Sequence, residues 1–250
     1  MSLFDQLDQF DGAGEEPTTD GVAVAKVTDN QDPEGIGRVK ITYPFRDTDD
    51  ESYWARVATE MAGKGYGTFF LPEVGDEVLV AFEGGKIRHP IVVGSLYNGK
   101  RKPPEDNSSG TNDIREIKSR KGHVLDFDDA STGGKVEIET SAGHTITLDD
   151  TSGSEKITIE DKSGSNSVEL DSSSDEVSVS ADKKISLSAK TIELAADSEV
   201  KISSKAKINM ESKAQMNISS KAKLNVESNG LMGIKATGPL TVEGAIIQLN

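Results

Sequence analysis

Val200-Lys201-Ile202-Ser203-Ser204-Lys205-Ala206-Lys207 is followed by Ile208-Asn209-Met210-Glu211-Ser212-Lys213-Ala214-Gln215, then by Met216-Asn217-Ile218-Ser219-Ser220-Lys221-Ala222-Lys223. The stretch repeats every eight residues. Each octad opens on two apolar residues flanking a polar one, the alternation of a strand with one buried face. The pairs recur at Val177/Val179, Ile185/Leu187, Val200/Ile202, Ile208/Met210, Met216/Ile218, Leu224/Val226, Met232/Ile234 and Leu240/Val242, with one shorter step at Ile192/Leu194. Small residues hold the other phases: Ser204, Ser212, Ser220 and Ser228 in one column, Ala206, Ala214, Ala222, Gly230 and Gly238 in another. They suit tight corners, and Lys205, Lys213 and Lys221 form a solvated ladder. A fixed short period of this kind predicts a β-solenoid-like architecture.

Geometry then sets the number of chains. One chain turning every eight residues has a perimeter of roughly 26 Å, so a triangular coil has sides of about 9 Å, whereas facing sheets need about 10 Å. Such a coil has no room for Ile, Met and Leu inside it. Three chains winding together, with a perimeter of about 80 Å at the same rise per residue, enclose a core. The octads therefore predict an intertwined homotrimeric prism in which each chain supplies one wall. Its core is formed by Ile185, Leu187, Val200, Ile202, Ile208, Met210, Met216, Ile218, Leu224, Val226, Met232, Ile234, Leu240 and Val242. Hairpins in a flat sheet are the alternative, but they seldom hold one octad phase for so long.

Composition agrees with an elongated object. Of 250 residues, 34% are hydrophobic and 5% aromatic, lean for a compact globule, and the net charge is -15. That charge opposes nucleic-acid binding, which requires a basic surface. There is no cysteine, so disulfides play no part. Residues 1–20 lack the basic and apolar regions of a signal peptide, and no apolar run approaches the ~20 residues of a membrane span. The expected setting is assembly in the cytoplasm into a larger particle.

Five regions follow in order. Residues 1–20 carry six acidic residues and no Lys or Arg, and Leu3, Phe4, Leu7 and Phe10 fall at helical spacing, which suits an acidic tail or a docking segment. Residues 21–98 read as a small OB-type barrel. Candidate strands are 22–27, 38–43, 53–58, 68–71, 77–82 and 91–96, separated by turns such as Asp32-Pro33-Glu34-Gly35 and Gly84-Gly85. Residues 99–113 form a linker. Residues 114–176 continue the apolar pairs at a longer step (Leu125/Phe127, Val136/Ile138, Ile146/Leu148, Ile157/Ile159, Val168/Leu170) and read as a wider upper prism. Residues 177–250 are the octad needle. The fold class is all-β: an OB barrel followed by an intertwined triple-stranded β-helix.

Several of these segments resemble one family. Asp32-Pro33-Glu34-Gly35-Ile36-Gly37-Arg38-Val39-Lys40-Ile41, Tyr53-Trp54-Ala55-Arg56-Val57, Pro72-Glu73-Val74-Gly75-Asp76-Glu77-Val78-Leu79-Val80 and Pro90-Ile91-Val92-Val93-Gly94-Ser95-Leu96-Tyr97-Asn98 resemble the OB domain of contractile-tail spikes. Ser119-Arg120-Lys121-Gly122-His123 and Phe127-Asp128-Asp129 resemble the start of their β-helix. The family comprises phage baseplate assembly protein V, the central spikes of contractile phages and VgrG of type VI secretion. The resemblance implies a structural spike of a phage tail, a tailocin or an injection system, one that contacts a target membrane only transiently. It also implies a PAAR-type tip protein at the C-terminal end, which we place on Ile246, Ile247 and Leu249. VgrG-like proteins carry a large hub module before the OB domain, where this sequence has about 20 residues, so the resemblance implies a separate hub protein at the barrel end. The linker is too short to hold the lysozyme that some phage spikes insert.

No residues assemble a catalytic motif. His89, His123 and His144 lack zinc-ligand spacing and read as structural or surface residues. Asp126, Asp128, Asp129, Asp149 and Asp150 lack a calcium-loop pattern and read as solvated strand ends. No cofactor is expected, although three-fold symmetry would allow an ion on the axis. Gly63-Lys64-Gly65-Tyr66-Gly67 lacks the context of a phosphate loop and reads as a mobile barrel loop. The rival functions are an OB-fold binding module, a trimeric tail-fibre adhesin, or a β-helical polysaccharide enzyme. The first needs a basic, aromatic-lined groove, and the other two need long loops on the rungs.

Overall fold

The structure, a computed structural model, describes residues 21–44 and 51–248. The acidic segment 1–20 and Leu249 lie outside the described residues. The chain divides at Ser186/Leu187 into two units, and all regular structure among the described residues, apart from one short 3-10 turn, is β.

The first unit begins with the barrel. Strands β1 (Val22–Asp29), β2 (Lys40–Thr42), β3 (Arg56–Val57), β6 (Glu77–Phe82) and β7 (Pro90–Leu96) form one sheet in the order β2-β1-β6-β7-β3. The pairing of β3 with β7 is parallel and the others are antiparallel. A reciprocal pair of backbone bonds between Val39 and Ala55, 3.0 and 2.7 Å, joins the two outer strands and closes the sheet on itself. Bulges between Val27 and Asp29 and at Leu79/Val80 supply the bend. Strand alternation sends Ala25, Val27, Ile41, Val78, Val80 and Val92 inward, where they are buried with Val39, Tyr43 and Ala55.

Two expectations change here. Residues 68–71 are not a strand. The glycine-rich segment before them is a two-residue-per-arm hairpin, β4 (Ala62–Gly63) with β5 (Tyr66–Gly67), rather than an open loop. Gly65, at φ +80°, makes its turn.

The barrel turns are polar. Asp76 accepts from the Glu73 N–H at 2.9 Å, and Asn98 accepts from the N–H groups of Lys100 and Arg101, each at 2.9 Å. Both residues shape turns, as their neighbours Gly75 and Gly99 suggest.

After the linker a seven-stranded antiparallel meander runs from β8 (Ile114–Lys118) through β9 (Val124–Asp128), β10 (Lys135–Glu139), β11 (Thr145–Asp149), β12 (Lys156–Glu160) and β13 (Ser167–Asp171) to β14 (Glu176–Ser180). Val177/Val179, the first pair of the octad series, lies in this meander as β14.

In the second unit the described residues form bends at the octad phase and no strand. Among the described residues, no backbone N–H from 187 to 248 meets a backbone carbonyl.

Candidate interaction surfaces

The register of the meander aligns its apolar pairs into two continuous rows on one face. Ile117, Leu125, Ile138, Ile146, Ile159, Val168 and Val179 pair in sequence along the first row. Arg115, Phe127, Val136, Leu148, Ile157, Leu170 and Val177 pair along the second. Among the described residues most of this face is left open: Ile146 and Ile157 are each 39% exposed and Val177 is 68% exposed. An apolar face this long exceeds what a lone soluble chain ordinarily leaves open.

The opposite face is polar, and Glu116, Asp126 and Glu137 stand directly across from one another. Asp126 is therefore mid-strand and partly buried, not the solvated strand end its neighbours suggest. Its burial, and then the Glu116 carboxylate beside it, push its carboxyl above the usual Asp range, with Lys135 opposing. One oxygen of each of Glu116 and Asp126 is buried without a hydrogen-bond partner.

The turns at the two edges repeat their chemistry. On one edge, the Nδ1 atoms of His123 and His144 accept the backbone N–H groups of Ser141 and Lys162, each at 3.2 Å, and Asn166 Oδ1 accepts that of Asp182 at 3.1 Å. Each side chain pins the next turn on its edge, so the two histidines are structural. On the other edge, Asp128, Asp149 and Asp171 accept from the N–H two residues on, at 3.0, 2.8 and 2.8 Å. These are Asx-turns. The hydroxyl and N–H groups around Asp149 and Asp171 hold both carboxyls below the usual Asp range.

In the octads, serine makes the corners. Ser204 Oγ accepts the N–H groups of Ala206 and Lys207 at 3.2 and 3.1 Å, and the Ser212, Ser220 and Ser228 hydroxyls donate to the carbonyls of Gln215, Lys223 and Leu231. Between corners, every predicted core side chain is exposed, from Met216 at 47% to Leu187 and Ile234 at 73%. At the end of the described chain, Ile246 and Ile247 are also exposed.

The barrel carries its own apolar surface. The Asp32 carboxylate accepts from the N–H groups of Glu34, Ile36 and Arg38 and binds the Arg38 guanidinium through two nitrogens, at 3.0 and 2.7 Å. The guanidinium is the main reason its carboxyl lies far below the usual range. This rigid loop presents Ile36 to solvent, near Phe69 and Phe70, which are 75% and 69% exposed. Sequence reading missed both phenylalanines as surface residues by placing them in a strand. Among the described residues, no group of three or more His, Asp or Glu side chains could hold a metal ion, and no helix is long and apolar enough to cross a membrane.

A closed five-stranded barrel with these turns defines an OB module that leads into an uncovered β-sheet. The family described as the type VI secretion system/phage-baseplate injector OB domain matches residues 23–97, the span of the barrel. The chain is similar to the type VI secretion system spike protein VgrG3 of Vibrio cholerae, at 36% identity over 96 residues, covering 35% of this chain and 9% of that protein. It is similar also to spike protein VgrG1c of Pseudomonas aeruginosa, at 29% over 132 residues, covering 44% and 18%. The actin cross-linking toxin VgrG1 of V. cholerae is 34% identical over 96 residues, 9% of its length. The chain thus spans less than a fifth of the length of these relatives.

Proposed function

We propose that three copies of this chain form the central spike of a contractile injection machine. The role is mechanical, without turnover: the octads of three chains wind into a needle that a contracting sheath drives through a target envelope. The observation that carries this reading is the pair of apolar rows on the meander, together with the apolar pairs of the octads, most of which one chain leaves exposed. The octad backbone supports it, since its N–H and C=O groups lack backbone partners among the described residues and buried backbone groups require them. A second and third copy supply both the apolar cover and the hydrogen bonds. The match of residues 23–97 to the injector OB domain supports the same reading, as do two of the named relatives, which are spike proteins.

On this reading the barrels attach to a separate hub protein. At the other end, Ile246, Ile247 and Leu249 meet a PAAR-type tip protein that covers the open end of the prism. Light scattering on a sizing column tests the assembly: the expected mass is three times the 26.7 kDa of the chain, and a monomer refutes it. Truncation before Gly244 tests the tip. Binding of a PAAR-type protein should be lost, and binding that survives truncation would place the contact elsewhere.

A further inference from the structure

We infer that Phe69 and Phe70 of each barrel seat against the first rungs of the neighbouring copy, on its Arg115, Phe127 and Val136. The inference rests on the three-walled reading above and adds a contact that the octads do not imply.

A groove of about 870 Å³ runs between the barrel and the top of the meander. Phe69, Phe70 and Leu71 form one side, and Ile117, Leu125 and Ile138, the start of the first apolar row, form the other. The barrel segment is fixed in place there. Arg120 in the first turn of the sheet binds Glu73 at 2.9 Å, and Asn30 Nδ2 donates to the Pro72 carbonyl at 3.1 Å. Two phenylalanines are thus held over an apolar edge while keeping about 70% of their surface in water.

Symmetry names the occupant. In a closed ring of three walls the contacts are heterologous, so one edge of each sheet meets the opposite edge of the next. The edge bearing the first row must therefore adjoin a neighbour's second row at the same height. At the height of the groove that second row consists of Arg115, Phe127 and Val136. The two rows begin differently: the first starts with Ile117, the second with Arg115. The topmost corner of the apolar strip consequently lacks one apolar side chain, and the phenylalanines of the adjoining barrel supply it. A guanidinium over an aromatic face is itself a favourable contact.

The chain has no cysteine, which makes cross-linking clean. The variants Phe70→Cys/Phe127→Cys and Phe70→Cys/Arg115→Cys are treated with a short bismaleimide and run on a denaturing gel. The second pair leaves Phe127 in place in case the first weakens the assembly. Because the contact runs head to tail around a ring, each pair should give a covalent trimer as the dominant band, and the single-cysteine variants should stay monomeric on the gel. Variants that are trimeric by light scattering yet give only monomer bands would overturn the inference and leave the spike reading standing. A monomeric wild-type chain would overturn both.

Discussion

Ile218→Ala separates a shared core from a surface stripe. Ile218 lies in the middle of the octads and is 66% exposed in a single chain. The substitution removes three carbons, each contributing about 0.8 kcal/mol when fully buried. In a lone chain only a third of that contact exists, so the loss is below about 1 kcal/mol on the same scale. In a three-chain core the same change removes about 2.4 kcal/mol from each copy and about 7 kcal/mol from the trimer, before any cavity term. The assay is urea denaturation at several protein concentrations, because dissociation couples unfolding of a trimer to concentration. We expect a wild-type midpoint that rises with concentration and a variant midpoint well below it, while Lys213→Ala on the solvated ladder changes little. A midpoint independent of concentration, with a shift below about 1 kcal/mol for Ile218→Ala, would refute the shared core.

His144→Ala should cost about 1 kcal/mol by removing the acceptor of the Lys162 N–H. His144→Asn should restore most of it, since Asn166 does the same work one turn further on; amide exchange at Lys162 reports both. Asp126→Asn should stabilise the protein at neutral pH. The Asp126 carboxyl is raised, so the folded state binds its proton more tightly than the unfolded state, and the wild type gains stability as pH falls through that raised value. The advantage of the variant should shrink over the same interval in denaturation series run from neutral to acid. Asp161 has the opposite sign. The Ser163 hydroxyl, with Asn166, holds its carboxyl far below the usual range, so its contribution is present at neutral pH and lost as pH falls below about 3.9. Asp161→Asn should flatten that part of the acid profile.

Much of this architecture was legible because β-structure writes its period into the sequence. The pairs Leu125/Phe127, Val136/Ile138, Ile146/Leu148, Ile157/Ile159 and Val168/Leu170 are the residues that register aligns into rows. The OB barrel was readable from alternating strands and glycine turns. The strand expected over 53–58 is present as the two residues of β3, whereas 68–71 is not a strand, since the aromatic Thr68-Phe69-Phe70-Leu71 has strand composition without a strand's partners. The edge ladders left a signal that single-turn reading passes over. His123, His144 and Asn166, like Asp128, Asp149 and Asp171, recur every two strands, and only the meander topology brings them onto a common edge. Asp126 was misread because its role depends on Glu116 across the strand, a neighbour ten positions earlier in sequence.

The two halves of the strip satisfy the same physical demand differently. From 114 to 180 each strand finds its hydrogen bonds in the next hairpin of its own chain, so the wall is complete and only its apolar face needs a neighbour. From 187 to 248 the described residues form no hairpin, and they have neither a backbone ladder nor an apolar cover among themselves. On the three-chain reading proposed above, a single copy holds the upper sheet, while the octads take both backbone partners and apolar cover from other chains. That division gives assembly a direction. On the same reading three meanders would supply preformed walls whose rows set the register at Val177 and Val179 before the octads wind. In the proposed needle, failure under axial force would require many interchain bonds to break together, the mechanical property that piercing needs.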